Sequence, residues 1–156
     1  MPKYGVSAAA YATTASVRTV LKLVTATKVP VEIVEAHGYG SGTVAPADIQ
    51  HSFTMAAVSA AGAGTGAASP PTPQPFSQMS AASGSTILWA MTAEPTTYAT
   101  VFPVLISFNQ RGGMRYAVPQ GEGVKNQFET TNMHQGWRVQ SSAVGTVDAE
   151  IHWWEN

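Results

Sequence analysis

The sequence feature that most constrains the fold is a strict alternation of apolar and polar residues near the C-terminus. From residue 147 to residue 153, the segment VDAEIHW, every second residue is apolar. A period of two over this length is typical of a β-strand with one buried face. Residues 137–141 alternate in the same way, and the short segment 142–145 between them predicts a hairpin connection.

The rest of the chain predicts further strands and no helix. Strand-like segments cover residues 17–25, 30–37, 49–59, 87–91, 97–108 and 114–118. No window of a dozen residues has the apolar spacing of an amphipathic helix. Residues 87–91 and 97–108 are continuously apolar, as central strands are, although Pro103 favours an edge position or a bulge for the second. The pattern predicts an all-β, antiparallel β-sandwich that is jelly-roll-like, or a related barrel.

The domain organisation is expected to be a single sandwich with two unusual segments. Residues 1–16 are rich in Ala, Thr and Ser, and they predict an extended N-terminal arm outside a sandwich domain of residues 17–156. The segment 59–85 contains no charged residue and is interrupted by four prolines, Pro70, Pro71, Pro73 and Pro75. It predicts a long loop on an extended path, surrounded by a neighbouring subunit instead of water.

The composition excludes several classes of function. Charged residues make up 11% of the chain and the net charge is −1, with no basic stripe, so we expect no nucleic-acid partner. No run of about twenty apolar residues predicts a membrane span. The absence of cysteine excludes disulfides, cysteine-based zinc sites and a cysteine nucleophile. The N-terminus lacks the apolar core of a signal peptide, so we expect use inside a cell or in a particle assembled there.

The titratable residues predict no enzyme. The spacing of the four histidines, His37, His51, His134 and His152, fits no metal-binding motif, and they are expected to be solvated or hydrogen-bonded surface residues. Strand periodicity places Glu32 and Glu35 on opposite faces, where they cannot converge. Glu150 and His152 share a face that is expected to be solvated. We therefore expect no catalytic residue, no cofactor and no metal.

The glycine-rich and aromatic segments predict structure and contact instead of catalysis. The run from Gly62 to Gly66 lacks the lysine of a phosphate-binding loop. Three tryptophans are expected to face the core: Trp89, Trp137 and Trp153. Trp154 falls on the opposite face, where it suits a contact anchor at a subunit interface or, alternatively, a platform for stacking a sugar.

The order of features along the chain resembles that of small decoration, or cement, proteins of tailed-phage virions. The features are the N-terminal arm, the strand 31–35, the Gly/Ala/Thr-rich segment, the TAEPTT segment 92–97, the return from Arg111 to Tyr116, the PQGEG loop 119–123 and the WWE end at 153–155. The resemblance implies a non-enzymatic structural protein on the exterior of a capsid, assembled in the host cytoplasm.

Two kinds of partner follow as expectations. The resemblance implies binding to the major capsid protein and self-association, as a trimer, with no membrane partner. The candidate interface residues are Tyr4, Tyr11, Pro71, Pro73, Phe76 and Trp154. The alternative is a carbohydrate-binding or adhesive β-sandwich module of a phage tail or a cell surface.

Overall fold

The fold consists of two antiparallel β-sheets packed against each other. The structure is a computed structural model, and it describes residues 1–25, 29–41, 48–59, 71–91, 94–95, 104–125 and 133–155. These residues form eleven strands and no helix, which confirms the predicted all-β sandwich. In the same ranges there is no helix with the length and apolar character needed to cross a bilayer.

Six strands form the first sheet, sheet A, and five form the second, sheet B. The order in sheet A is β5 (Gln74–Pro75), β1 (Lys3–Thr13), β11 (Gly145–Glu155), β3 (Val31–Gly40) and β8 (Gly113–Ala117), with β9 (Val124–Lys125) also paired to β3. The order in sheet B is β6 (Thr86–Trp89), β2 (Arg18–Val24), β10 (Met133–Ser141), β4 (Gln50–Ser59) and β7 (Val104–Asn109).

The strand pairing is nested, so that early strands pair with late ones. β1 pairs with β11, β2 with β10, β3 with β8 and β4 with β7. The hairpin predicted between residues 137–141 and 147–153 is therefore wrong: both strands exist, but β10 lies in sheet B and β11 in sheet A. Alternation reports which face of a strand is buried, and the two sheets of a sandwich bury facing surfaces, so similar patterns occur in both.

The N-terminal segment belongs to the sandwich, which corrects the predicted arm. β1 lies between β5 and β11 and pairs with β11 from Lys3 to Thr13. Its alternate side chains Tyr4, Val6 and Ala8 are buried in the core. β1 has few large apolar side chains of its own. Its partner strand β11, near the C-terminal end of the chain, supplies the larger apolar side chains beside it.

The predicted loop 59–85 is partly described, and that part is held by its own chain. Residues 60–70 lie outside the described ranges, whereas β5 pairs with β1 and the Phe76 amide donates to the Lys3 carbonyl at 2.9 Å. Farther along, the Glu155 carboxylate accepts hydrogen bonds from Ser83 and Ser85. The described part of the loop therefore lies along its own sandwich, and its contact with a neighbouring subunit stays a prediction. We call residues 71–80 the strap.

The edges of sheet B are formed by two short strands. β7 is an edge strand, as Pro103 favoured, although Pro103 itself lies outside the described residues. Among the described strands β6 is the opposite edge, contrary to the central position predicted for residues 87–91. Ile87 and Met91 are buried in the core. Their burial explains part of the apolar run at residues 87–91, although β6 has a described neighbouring strand on one side only.

The core lies between the two sheets and is centred on aromatic residues. Trp137 and Trp153 are buried, as predicted, and Trp89 is half-buried against the core. The Trp137 ring lies 5.0 Å from the Phe53 ring, and Trp153 stacks on Tyr4 at 6.0 Å. Alternation along β11 places Glu150 and His152 on the face opposite Trp153, which is the outer face of sheet A.

Candidate functional site

A compact cluster of charged and titratable side chains lies on the outer face of sheet A. It draws residues from four adjacent strands, because strand pairing places β1, β11, β3 and β8 side by side. We call it the Glu35 cluster; its members are Lys3, Glu35, His37, Arg115, Glu150 and His152. They are separated by up to 149 positions in the sequence, so no local motif could predict their meeting.

A β-bulge in β3 aims Glu35 into this cluster. Opposite β11, Ile33 pairs with Trp153 and Glu35 pairs with His152, which leaves Val34 as the extra residue. Glu32 pairs with Trp154, so the bulge places Glu32 and Glu35 on the same outer face. The expectation of opposite faces is wrong because it assumes an uninterrupted period of two.

Glu35 is the centre of the cluster. Its Oε1 accepts from His37 Nε2 at 2.9 Å and from Arg115 Nε at 2.8 Å. Its Oε2 accepts from Lys3 Nζ at 3.3 Å and faces His152 Nδ1 at 2.9 Å. Burial alone would raise the pKa of this carboxyl, but hydrogen bonds from these four residues outweigh it and hold the pKa well below its usual range. The donors around Glu35 therefore favour its ionised form.

His152 lies between two carboxylates. Its Nδ1 faces Glu35 at 2.9 Å, and its Nε2 faces Glu150 Oε1 at 2.6 Å. Each ring nitrogen therefore has a carboxylate oxygen as its hydrogen-bond partner. The side chain is buried, and the expectation of a solvated face for Glu150 and His152 is therefore wrong.

The strap covers His152 from outside. The Phe76 ring lies edge-on to the imidazole, with centroids 4.8 Å apart. This approach depends on Gly5, which lies opposite His152 in β1. A Cβ on Gly5 would come within 2.8 Å of His152 Cδ2 and 2.9 Å of Phe76 Cε2, closer than real Cβ atoms lie.

His37 completes the cluster beside β8. Its Nε2 points to Glu35, and its Nδ1 is hydrogen-bonded to the Tyr39 hydroxyl. The rings of His37 and His152 are 5.7 Å apart. One ligand atom from each of Glu35, His37 and His152 lies within 4.8 Å of the others. Imidazole and carboxylate donors at this separation can hold a divalent cation.

Two cavities flank the cluster. A cavity of about 350 Å³ lies between the strap and β1, with Glu150 and His152 in its wall and Gln74 and Phe76 on the strap side. A second cavity, of about 470 Å³, contains Trp154 together with Met1, Pro30, Val31, Glu32, Gln120, Gly121 and Lys125. Glu32 Oε1 in this wall already accepts from the backbone amides of Gly121 and Gly123, at 2.7 Å each.

The predicted interface residues divide between core and surface. Tyr4 is 2% exposed and its hydroxyl donates to the Ala81 carbonyl, so it stabilises the fold and offers no contact surface. Tyr11 is half-buried against the core. Both residues belong to β1, which is a strand of sheet A and not a free arm, and this explains why they are buried or half-buried.

The remaining predicted interface residues reach the surface. Pro71 and Pro73 are half-buried on the strap, Phe76 is 58% exposed, and Trp154 is half-buried on the outer face. Met79, on the same strap, is 97% exposed and was missing from the predicted set. The sequence signal that could have identified Met79 is its position in a chargeless, proline-rich segment.

The other two histidines are buried in a different way, and the expectation of surface positions is wrong for them. His51 is fully buried, and its Nδ1 is 2.7 Å from the Ser141 hydroxyl. Burial lowers the pKa of His51. Burial also lowers the pKa of His134, and the nearby charge of Lys22 lowers it further.

The chain matches no protein-family model and no curated protein.

Proposed function

We propose that this chain is a non-enzymatic structural protein of a virion, of the decoration type, which self-associates and binds the outside of the shell. The observation that carries the proposal is the strap, which pairs with sheet A at Gln74 and Pro75 and leaves Phe76 58% and Met79 97% exposed. Exposed apolar side chains on an anchored segment are typical of a protein–protein contact.

The strand order supports a jelly-roll fold for this protein. Nested pairing of first with last strands, divided between two sheets, is the connectivity expected of a jelly roll. Viral capsid domains and lectins are among the proteins that use this architecture. The fold is therefore compatible with the proposed role.

The surroundings of the strap suit a contact with low desolvation cost. Within the Glu35 cluster, Lys3 and Arg115 pair with Glu35 and His152 bonds to Glu150, and Lys3 lies over the Phe76 ring at 4.8 Å from the centroid. Because pairing with β1 and the Phe76–Lys3 bond already order the strap backbone from Gln74 to Phe76, binding a partner there costs little further entropy.

The proposed partners are the major capsid protein and other copies of this chain, with a trimer as the proposed oligomer. Repetition of a small contact on a symmetric shell strengthens attachment, because each further contact within one oligomer is intramolecular. The proposed location is the exterior of the capsid.

The experiment compares shell binding by two double variants. The protein is produced with shells of its virus's major capsid protein, and the fraction that co-sediments is measured. Phe76→Ser with Met79→Ser is expected to lose binding. Leu105→Ser with Val144→Ser removes two other exposed apolar side chains, 63% and 76% exposed, and is expected to bind like the wild type. Equal binding by both double variants, or none by the wild type, contradicts the proposal.

A second candidate function is carbohydrate binding, favoured by the cavity beside Trp154. An aromatic face next to Gln120 and Lys125 combines a stacking surface with hydrogen-bonding groups. Saturable binding on a glycan array, lost in Trp154→Ala and retained in Phe76→Ser, would favour this function over the first. An array without any signal would contradict it.

A further inference from the structure

We propose that Glu35, His37 and His152 bind a divalent transition-metal ion, with Zn²⁺ as the preferred ion. This site goes beyond the proposed structural role and does not depend on it. The three side chains come from β3 and β11, which pair with each other, so the donors stand on rigid neighbouring strands.

The donor set is the first argument for an ion. Two imidazoles and one carboxylate form a ligand set that proteins use for zinc, with an open position left for water. His37 Nε2 and His152 Nδ1 both point to the Glu35 carboxylate, each 2.9 Å from one of its oxygens. Ligand atoms in a tetrahedral zinc site are about 3.3 Å apart, given bonds of about 2.0 Å. The observed separations, all within 4.8 Å, therefore need only small side-chain rotations.

The groups behind the two histidines are the second argument. Metal-binding histidines usually donate their other ring N–H to a carboxylate or another acceptor, which fixes the tautomer and the ring orientation. His152 Nε2 faces Glu150 Oε1 at 2.6 Å, and His37 Nδ1 faces the Tyr39 hydroxyl. In both rings, the nitrogen on the side away from Glu35 has a hydrogen-bond partner. The nitrogen on the side of Glu35 points to the proposed ion position.

Two cations compete with the ion for Glu35. Lys3 Nζ makes the longest of these contacts, at 3.3 Å, and the Arg115 side chain is 65% exposed. Arg115 contacts Glu35 Oε1 through Nε at 2.8 Å and through a terminal guanidinium nitrogen at 2.7 Å, so binding of an ion requires both cations to move off the carboxylate. Their charge nevertheless repels the ion, so removal of Arg115 should strengthen binding. A purely structural ion-pair network predicts no such gain.

The test is a calorimetric titration of the purified, chelator-treated full chain with zinc chloride. We expect one ion per chain. His37→Asn and His152→Asn should each weaken binding by on the order of 100-fold, and Glu150→Gln by about tenfold. Arg115→Gln should bind severalfold more tightly. His134→Asn makes the same substitution away from the site and should bind like the wild type.

Cobalt chloride provides a second measurement on the same variants. Tetrahedral nitrogen and oxygen ligands give Co²⁺ visible absorption bands, which we expect in the wild type and in Arg115→Gln but not in His37→Asn. If His152→Asn does not fold, His37→Asn and Glu150→Gln still decide the question. The proposal is overturned if the wild type binds no zinc, or if His37→Asn and Glu150→Gln both bind as tightly as the wild type.

Discussion

His152 and His51 are both buried, but the two sheets bury them in opposite ways. On the outer face of sheet A, His152 has a carboxylate at each ring nitrogen, and Phe76 covers it. In sheet B, His51 has one hydroxyl partner, Ser141, and its Nε2 has no hydrogen-bond partner within the described part of the chain. His152 thus has a polar partner at each ring nitrogen, whereas burial of His51 favours its neutral ring. Burial alone therefore does not distinguish a candidate binding site from a core position; the partners do.

The largest expected effect comes from removing the charge at the centre of the Glu35 cluster. Glu35→Gln leaves Lys3 and Arg115 without their carboxylate, and it should lower the free energy of unfolding by about 2 kcal/mol. Urea denaturation measures the change. Glu122→Gln, at an exposed position, is the matched control and should be neutral. Equal stability of the two variants would show that the cluster does not stabilise sheet A.

The contact between strap and cluster is tested by Gly5→Ala. The added methyl group should push Phe76 away from His152 and lower the free energy of unfolding by about 1 kcal/mol. Hydrogen exchange of the Phe76 amide, which donates to the Lys3 carbonyl, should become faster while the amides of β4 are unchanged. An unchanged exchange rate at Phe76 would mean that the strap tolerates the methyl group and does not depend on Gly5.

The smallest expected effect is the pH dependence that His51 contributes. Burial lowers its pKa in the folded state, so the unfolded chain binds more protons as the pH falls below the ordinary histidine pKa of about 6.5. The contribution of the neutral ring to stability is present above that pH and is lost as the pH falls toward the folded-state pKa. His51→Asn should therefore lose less stability than the wild type between pH 7 and pH 5. Identical slopes in the two proteins would contradict a neutral, buried His51.

The sequence predicted the fold class better than the pairing. Alternation located β10 and β11, because one buried face leaves a period of two in either sheet of a sandwich. It could not tell that the two strands lie in different sheets, because similar alternation occurs in both. β1 was assigned to an arm because its small residues carry little apolar signal.

Sequence patterns could not predict the candidate site, for a different reason. Glu35 and His152 meet only because β3 pairs with β11, and Glu35 faces His152 only because of the bulge at Val34. Neither a long-range pairing nor a one-residue bulge leaves a local trace in the sequence. Phe76, in contrast, carries a signal that does not depend on pairing, since it is an aromatic residue in a chargeless segment; its place at an interface stays a prediction.

The most direct test of the proposed function is a cryo-EM reconstruction of the virus shells with this protein bound. We expect density for the sandwich on the outer surface of the shell, with Phe76 and Met79 of the strap at the contact with the capsid protein or with a neighbouring copy. A reconstruction in which the strap faces solvent, or shells that carry none of the protein, would contradict the proposed function.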